Sequence, residues 1–268
     1  MHHFHSYRRL KLAVVSVLAG LLSVPTLAAE WGSLKGRFTY SGKAAEETIE
    51  PTKDTEFCSK HKLLNEEIVV GKENGLQNVF VYLYLNIRKG EKVDIHPDYM
   101  EGDPKPAVLD NSGCRFSPHA MTVWTRQPFK IMNSDEGIGH NTNAQTLFSN
   151  PDFNEQVPNG SPITKHFEKS EPYPAEFACN VHPWMKAIVL IRDNPYIATS
   201  GDKGEFEIKN IPDGKHKLVF CHETKGNLRD LSVGGDETDR RGTASLEIPA
   251  GETLDLGEIK ITPDHLGK

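Results

Sequence analysis

The apolar positions of this chain fall in short runs that alternate with polar residues or fill completely. They do not recur at the three-to-four spacing of an amphipathic helix. Residues 34–40 alternate from Leu34 to Tyr40 and stop at Ser41-Gly42, which predicts a strand and a turn. Residues 78–85, with Val79, Phe80, Val81, Tyr82 and Leu83 in succession, are nearly continuous apolar, the mark of a central strand. Residues 122–124 and 129–132 read as strands around a turn at Gln127-Pro128. Polar stretches at 43–75, 88–106 and 141–172 read as loops, the last with one strand candidate at 164–167. A strand, a loop and a second strand occupy 176–191. Beyond Asp193-Asn194-Pro195 the texture changes. A turn, strand and turn at 199–214 are followed by strands at 215–221, 244–248 and 254–261, with a charged, Gly-rich mobile loop or insert at 225–242. Short strands at this spacing predict a small β-sandwich. The expected architecture is all-β, with one domain over 30–193 and a smaller C-terminal β-sandwich over 194–268.

The first 29 residues stand apart. Arg8, Arg9 and Lys11 form a basic start, residues 12–24 an apolar run too short to span a bilayer, and Thr26-Leu27-Ala28-Ala29 a small-residue cleavage site. This is the pattern of a signal peptide, with an uncleaved anchor as the competing reading. Cleavage implies a periplasmic or secreted protein and removes His2, His3 and His5. No second apolar run of membrane-span length occurs, so no span is expected after cleavage. A net charge of -6 without a basic stripe argues against a nucleic-acid partner.

The chemistry concentrates in residues 177–185, where Cys179, His182 and Met185 lie on one tight turn between two strands. A thiolate, an imidazole and a weak thioether are the ligands of a blue-copper centre, which needs one more imidazole from elsewhere. His140 offers it, in a loop by composition that follows a strand. Asn141, beside it, is placed to brace the loop through its side chain, next to the ligands. Pro183 and Trp184 would form an apolar rim around an exposed edge of His182. Other readings stand beside this one. Cys179 can be a small buried hydrophobe and His182 a turn residue; the two can form a nucleophile pair; or the metal can be zinc. His119 caps a strand end through a backbone hydrogen bond, or supports the metal as an outer or alternative ligand. His61, His96, His166, His216 and His265 show no pattern and read as surface residues.

Residues 115–191 resemble the plastocyanin-like cupredoxins. The likeness rests on 115–118 leading through Asn133 to Gly139-His140-Asn141, and on Cys179-x-x-His182. It implies a cupredoxin-like Greek-key sandwich with His140, Cys179, His182 and Met185 as ligands of a single copper and His182 as the electron port. Met185 lies closer to the second His than is usual in that family, which leaves a carbonyl or carboxylate as the alternative axial ligand. Residues 196–262 resemble the carboxypeptidase regulatory-like, transthyretin-type sandwich, on Gly201-Asp202-x-Gly204-x-Phe206-x-Ile208 and Ile211-Pro212-x-Gly214. Such domains are non-catalytic accessories, and His222-Glu223 there read as strand-end polar residues. The whole arrangement also resembles exported proteins labelled methylamine-utilisation-like, a label that implies no methylamine reaction.

With Cys179 assigned to metal and Cys221 in the middle of a strand of the other domain, Cys58 and Cys114 are the favoured disulfide. Closing loops of that size stabilises by about 3 to 5 kcal/mol. The expected function is one-electron transfer through one mononuclear copper, with a redox partner protein and no substrate turned over. The alternative is a non-catalytic binding protein with a structural or vestigial metal site, contacting a protein or carbohydrate through its second domain. A multicopper enzyme would need further motifs such as His-x-His, which are missing.

Overall fold

The computed structural model describes residues 1–2, 30–44, 46–146 and 148–267. The leader read at 1–29 therefore lies, from residue 3 onward, outside the described residues. No helix among the described residues is long and apolar enough to cross a membrane.

Among the described residues, the first strands are β1 (Trp31–Tyr40) and β2 (Val79–Leu83). Nine strands follow: β3 (Ala107–Asn111), β4 (Phe116–Ser117), β5 (Ala120–Trp124), β6 (Phe129–Asn133), β7 (His140–Gln145), β8 (Phe153–Val157), β9 (Ile163–Lys165), β10 (Ala175–Ala178) and β11 (Lys186–Arg192). The last eight are β12 (Ile197–Thr199), β13 (Glu205–Pro212), β14 (Gly214–His222), β15 (Gly226–Asn227), β16 (Ser232–Val233), β17 (Asp236–Glu237), β18 (Thr243–Ile248) and β19 (Thr253–Ile261).

Two sandwiches result. The middle strands form one, from sheets ordered β5-β11-β10-β7-β8 and β4-β3-β6-β9. Its core gathers Leu109, Phe116, Val123, Phe129, Ile131, Phe177 and Val189. The other is built from both ends of the chain. β1 lies antiparallel to β13 and parallel to β19, and β2 lies between β12 and β14. The expected division at 193 therefore does not follow the sheets. Strands from before residue 84 complete the sandwich formed by residues 197–261, and the site-bearing sandwich is inserted between β2 and β12. Alternation reveals that a segment is a strand but not which distant strand it pairs with, so the period of β1 carried no sign of this. Gly204 shows the join at atomic level. Its φ is +78°, and a Cβ there would collide with the carbonyl of Phe38 on β1.

The unbroken apolar run of β2 has a geometric cause. Successive side chains point to opposite faces. Val79, Val81 and Leu83 enter the core of their own sandwich, with Phe38, Leu218 and Phe220. Phe80 and Tyr82 face the other way, onto Ala120 and Leu190 of the inserted sandwich. Both faces are covered, so no polar alternation survives. The stretch 225–242 is also more ordered than its composition suggests. Leu228, Leu231 and Val233 are buried in the core, and Thr238 Oγ1 donates to the Leu228 carbonyl at 2.7 Å. Three apolar plugs anchor a segment whose remaining residues are glycine, charged or polar.

Candidate metal centre

β10 and β11 are antiparallel neighbours, with Ala178 opposite Lys186, so residues 179–185 must turn back within seven positions. Two backbone bonds close the turn: Cys179 N donates to Met185 O at 3.1 Å, and Met185 N to His182 O at 2.9 Å. β7 pairs with the other edge of β10, which brings its first residue, His140, beside the turn. Asn141 then braces the two segments. Its Oδ1 accepts from Asn180 N at 2.8 Å and Val181 N at 3.4 Å, and lies 3.4 Å from Cys179 Sγ.

The sulfur of Cys179 is 3.9 Å from Nδ1 of His140 and 3.8 Å from Nδ1 of His182. The three ligand atoms lie within 4.8 Å of one another, and all three residues are buried. A tetrahedral or trigonal metal about 2.3 Å from sulfur and about 2.0 Å from nitrogen holds sulfur and nitrogen roughly 3.5 to 3.7 Å apart. The spacing therefore fits a bound ion with little movement. Met185 is buried in the same cluster as Cys179. Electrostatics prepare the sulfur. Burial alone would raise the Cys179 pKa, but the hydrogen bond with His140 and those from the Asn141 and His182 backbones outweigh it and bring it to about 6. Burial would lower that of His140, but Asp135 and the Cys179 thiolate raise it to about 9. Cys221, buried without such partners, is pushed up to about 12. The two free thiols are thus chemically opposite: one is a ready thiolate and the other an inert hydrophobe.

Two side chains that bond the candidate ligands were missed. Asp135 Oδ2 lies 2.9 Å from His140 Nε2, and Asp54 Oδ2 lies 2.9 Å from His182 Nε2. Asp135 stood five residues before His140, where an anion facing the imidazole could have been suspected. Asp54 lies 128 residues from its partner in a polar loop that offers no local signal. Its presence corrects the expected electron port. His182 has no exposed edge: its side chain is fully buried under Asp54, and Trp184 packs edge-on against it at 5.2 Å. Trp184 does not rim an open imidazole. Its Nε1 donates to the Cys114 carbonyl at 2.9 Å. Cys114 and Cys58 form a disulfide, which ties the Asp54 segment to the inserted sandwich.

His119 is not beside the candidate ligands. Its Nδ1 bonds the Lys186 carbonyl at 3.0 Å, and its Nε2 makes a 2.9 Å ion pair with Glu223 of the other sandwich. Burial opposes protonation of His119, but the Glu223 carboxylate outweighs it and raises its pKa. The pair lines a cleft of about 720 Å³ between the sandwiches, with Glu66, Tyr173 and Trp184. The neighbouring His222 is fully buried, and burial, with the Lys225 and His119 charges nearby, lowers its pKa to about 4. A histidine depressed in the folded state binds its proton more readily when unfolded. Stability should therefore fall between about pH 6.5 and pH 4, by on the order of 3 kcal/mol from this group. Urea melts across that range should show the loss, and His222→Gln should flatten it.

Fold and site together define an all-β protein of two sandwiches, one of which holds a buried His-Cys-His cluster able to bind a metal ion. Among solved structures the chain is similar to the copper-containing nitrite reductase of Thermus scotoductus SA-01. Identity is 18% and the TM-score 0.29, over 32% of this chain and 22% of that one. It is also similar to a novel purple cupredoxin from Nitrosopumilus maritimus, at 18% identity and a TM-score of 0.26, over 32% of this chain and 98% of that one. No family model matches the chain, and no curated protein matches it.

Proposed function

We propose that this chain is an exported one-electron carrier that holds a single copper ion between His140, Cys179 and His182, with the Met185 thioether as a weak fourth ligand. The observation that carries the reading is the approach of two imidazole nitrogens to one low-pKa sulfur in a site closed to solvent. Copper bound there would supply a one-electron couple. The chain's own residues do the rest. Cys179 offers its thiolate, and His140 and His182 offer Nδ1. Asn141 fixes the turn against β7, so the donors move little when charge changes. A rigid donor set suits electron exchange with a protein partner and leaves no substrate to turn over. Cys179 is only 2% exposed, which argues against a nucleophile, because a substrate carbonyl has no approach to the sulfur.

The test is titration of the protein with copper(II). One equivalent should generate an intense visible thiolate-to-copper band that vanishes on reduction and returns on oxidation. Tight binding of copper with no such band contradicts the reading. It would favour the second one, a non-catalytic binding protein with a structural metal, for which the cleft beside Tyr173 and Trp184 is the supporting observation. Retention on immobilised oligosaccharide would then be expected.

A further inference from the structure

We propose that Asp54 and Asp135, each accepting a hydrogen bond from one candidate copper-ligand histidine, are positioning residues of the metal centre and hold its copper toward the oxidised state. The inference rests on the copper reading above.

The argument starts with the tautomers. An ionised carboxylate only accepts hydrogen bonds. With Asp135 Oδ2 2.9 Å from His140 Nε2, and Asp54 Oδ2 2.9 Å from His182 Nε2, both Nε2 atoms carry the proton. Each Nδ1 is then the atom left to bind metal, and each Nδ1 faces Cys179 Sγ. A carboxylate behind a ligand imidazole fixes its orientation and raises its donor strength.

One frame carries both carboxylates. The Asp135 carboxylate also accepts from the backbone N–H groups of Gly113 and Cys114. Asp54 opens the short helix Thr55–Cys58, and its carbonyl accepts from Phe57 N and Cys58 N at 2.9 Å. The Cys58–Cys114 bond joins the two carriers covalently. The cystine therefore does more than shorten loops: it sets Asp54 over one ligand and, through Cys114 N–H, Asp135 behind the other.

Charge gives the direction of the effect. A copper(II) ion, one thiolate and two carboxylates already sum to a net negative centre, and reduction adds a further electron to a buried site. Low polarity amplifies that cost. The Asp135 side chain is 4% exposed and that of Asp54 43%, so water screens Asp54 more and Asp135 should have the larger effect.

The experiment compares the wild-type protein with Asp54→Asn and Asp135→Asn, loaded with copper. Each potential is read from the visible band during a redox titration. Both variants should keep the band and show a higher potential, with the larger upward shift for Asp135→Asn. Unchanged potentials with the band intact overturn the proposal. If Asp135→Asn does not fold, Asp54→Asn, altered at a part-exposed side chain, decides alone. A second measurement separates this idea from the copper reading. In zinc-loaded protein, 15N NMR should show Nδ1 metal-bound and Nε2 protonated on His140 and His182. Metal at Nε2 of either ring overturns the positioning role. If the wild-type protein shows no copper band, the copper reading fails, and the zinc spectra still decide whether the aspartates position the rings.

Discussion

Replacing Cys179 with serine should abolish the visible band of the copper-loaded protein and weaken copper binding by more than about 100-fold, the upper range for loss of an outer-sphere partner alone. The band requires charge transfer from sulfur, which a hydroxyl does not supply. The affinity requires an anion at the centre, and a serine hydroxyl stays protonated where the Cys179 thiol ionises at about 6. The metal-free fold should change little. A hydroxyl is smaller than a thiol but can keep the contact with Asn141 Oδ1, and the backbone bonds that close the turn, Cys179 N to Met185 O and Met185 N to His182 O, do not involve the sulfur. Copper titration followed by absorbance, beside a urea melt of the metal-free variant, checks both halves. An unchanged visible spectrum in the variant would show that the thiolate is not a ligand.

The sequence disclosed the parts of this centre that are local. Cys179 and His182 are three residues apart on a turn whose flanking strands are strongly apolar, and such a turn can be read from spacing alone. His140 was found by its chemistry. Its strand was not. β7 is buried yet polar, with His140, Asn141 and Thr142 in succession, because that end of the strand serves the site instead of the core. A hydropathy pattern reads it as loop. β8 was hidden in the same way, with Phe153, Glu155 and Val157 as its half-buried or buried positions and only two of them apolar. The greatest loss of legibility was long-range. Nothing in residues 31–40 tells that they join β13 and β19, and nothing in a loop at residue 54 tells that it covers a histidine at 182. Partners chosen by three-dimensional closure leave no period in the chain. His119 shows the same limit: a backbone bond at a strand end was expected of it, but the carbonyl it meets belongs to Lys186, 67 residues on, and its charge partner, Glu223, belongs to the other sandwich.

Phe177→Ala should destabilise the protein by about 3 to 5 kcal/mol, the range for removing a fully buried aromatic ring. Phe177 is fully buried at the centre of an aromatic cluster, with ring centroids 5.5 Å from Phe129, 6.0 Å from Phe153 and 6.4 Å from Phe167. These three rings come from β6, β8 and the segment after β9, so one truncation loosens both sheets of the inserted sandwich. Phe177 also shares its inward face with Cys179, two residues on, and the cavity opens behind the candidate metal site. Copper should therefore rescue this variant. At a free copper concentration 100 times the dissociation constant, binding restores about 2.7 kcal/mol. Phe220→Ala is the counterpart in the other sandwich, where Phe220 is fully buried 6.2 Å from Phe38. The two sandwiches share the contact of Phe80 and Tyr82 with Ala120 and Leu190, and the Cys58–Cys114 bond ties the Asp54 segment across. Both variants should accordingly lower one common thermal transition, seen alike by tryptophan fluorescence and by far-UV circular dichroism, and copper should raise it in both. A Phe177→Ala protein that melts in two steps, with the upper step unmoved from the wild type, would show instead that the sandwich built from the chain ends stands without its insert.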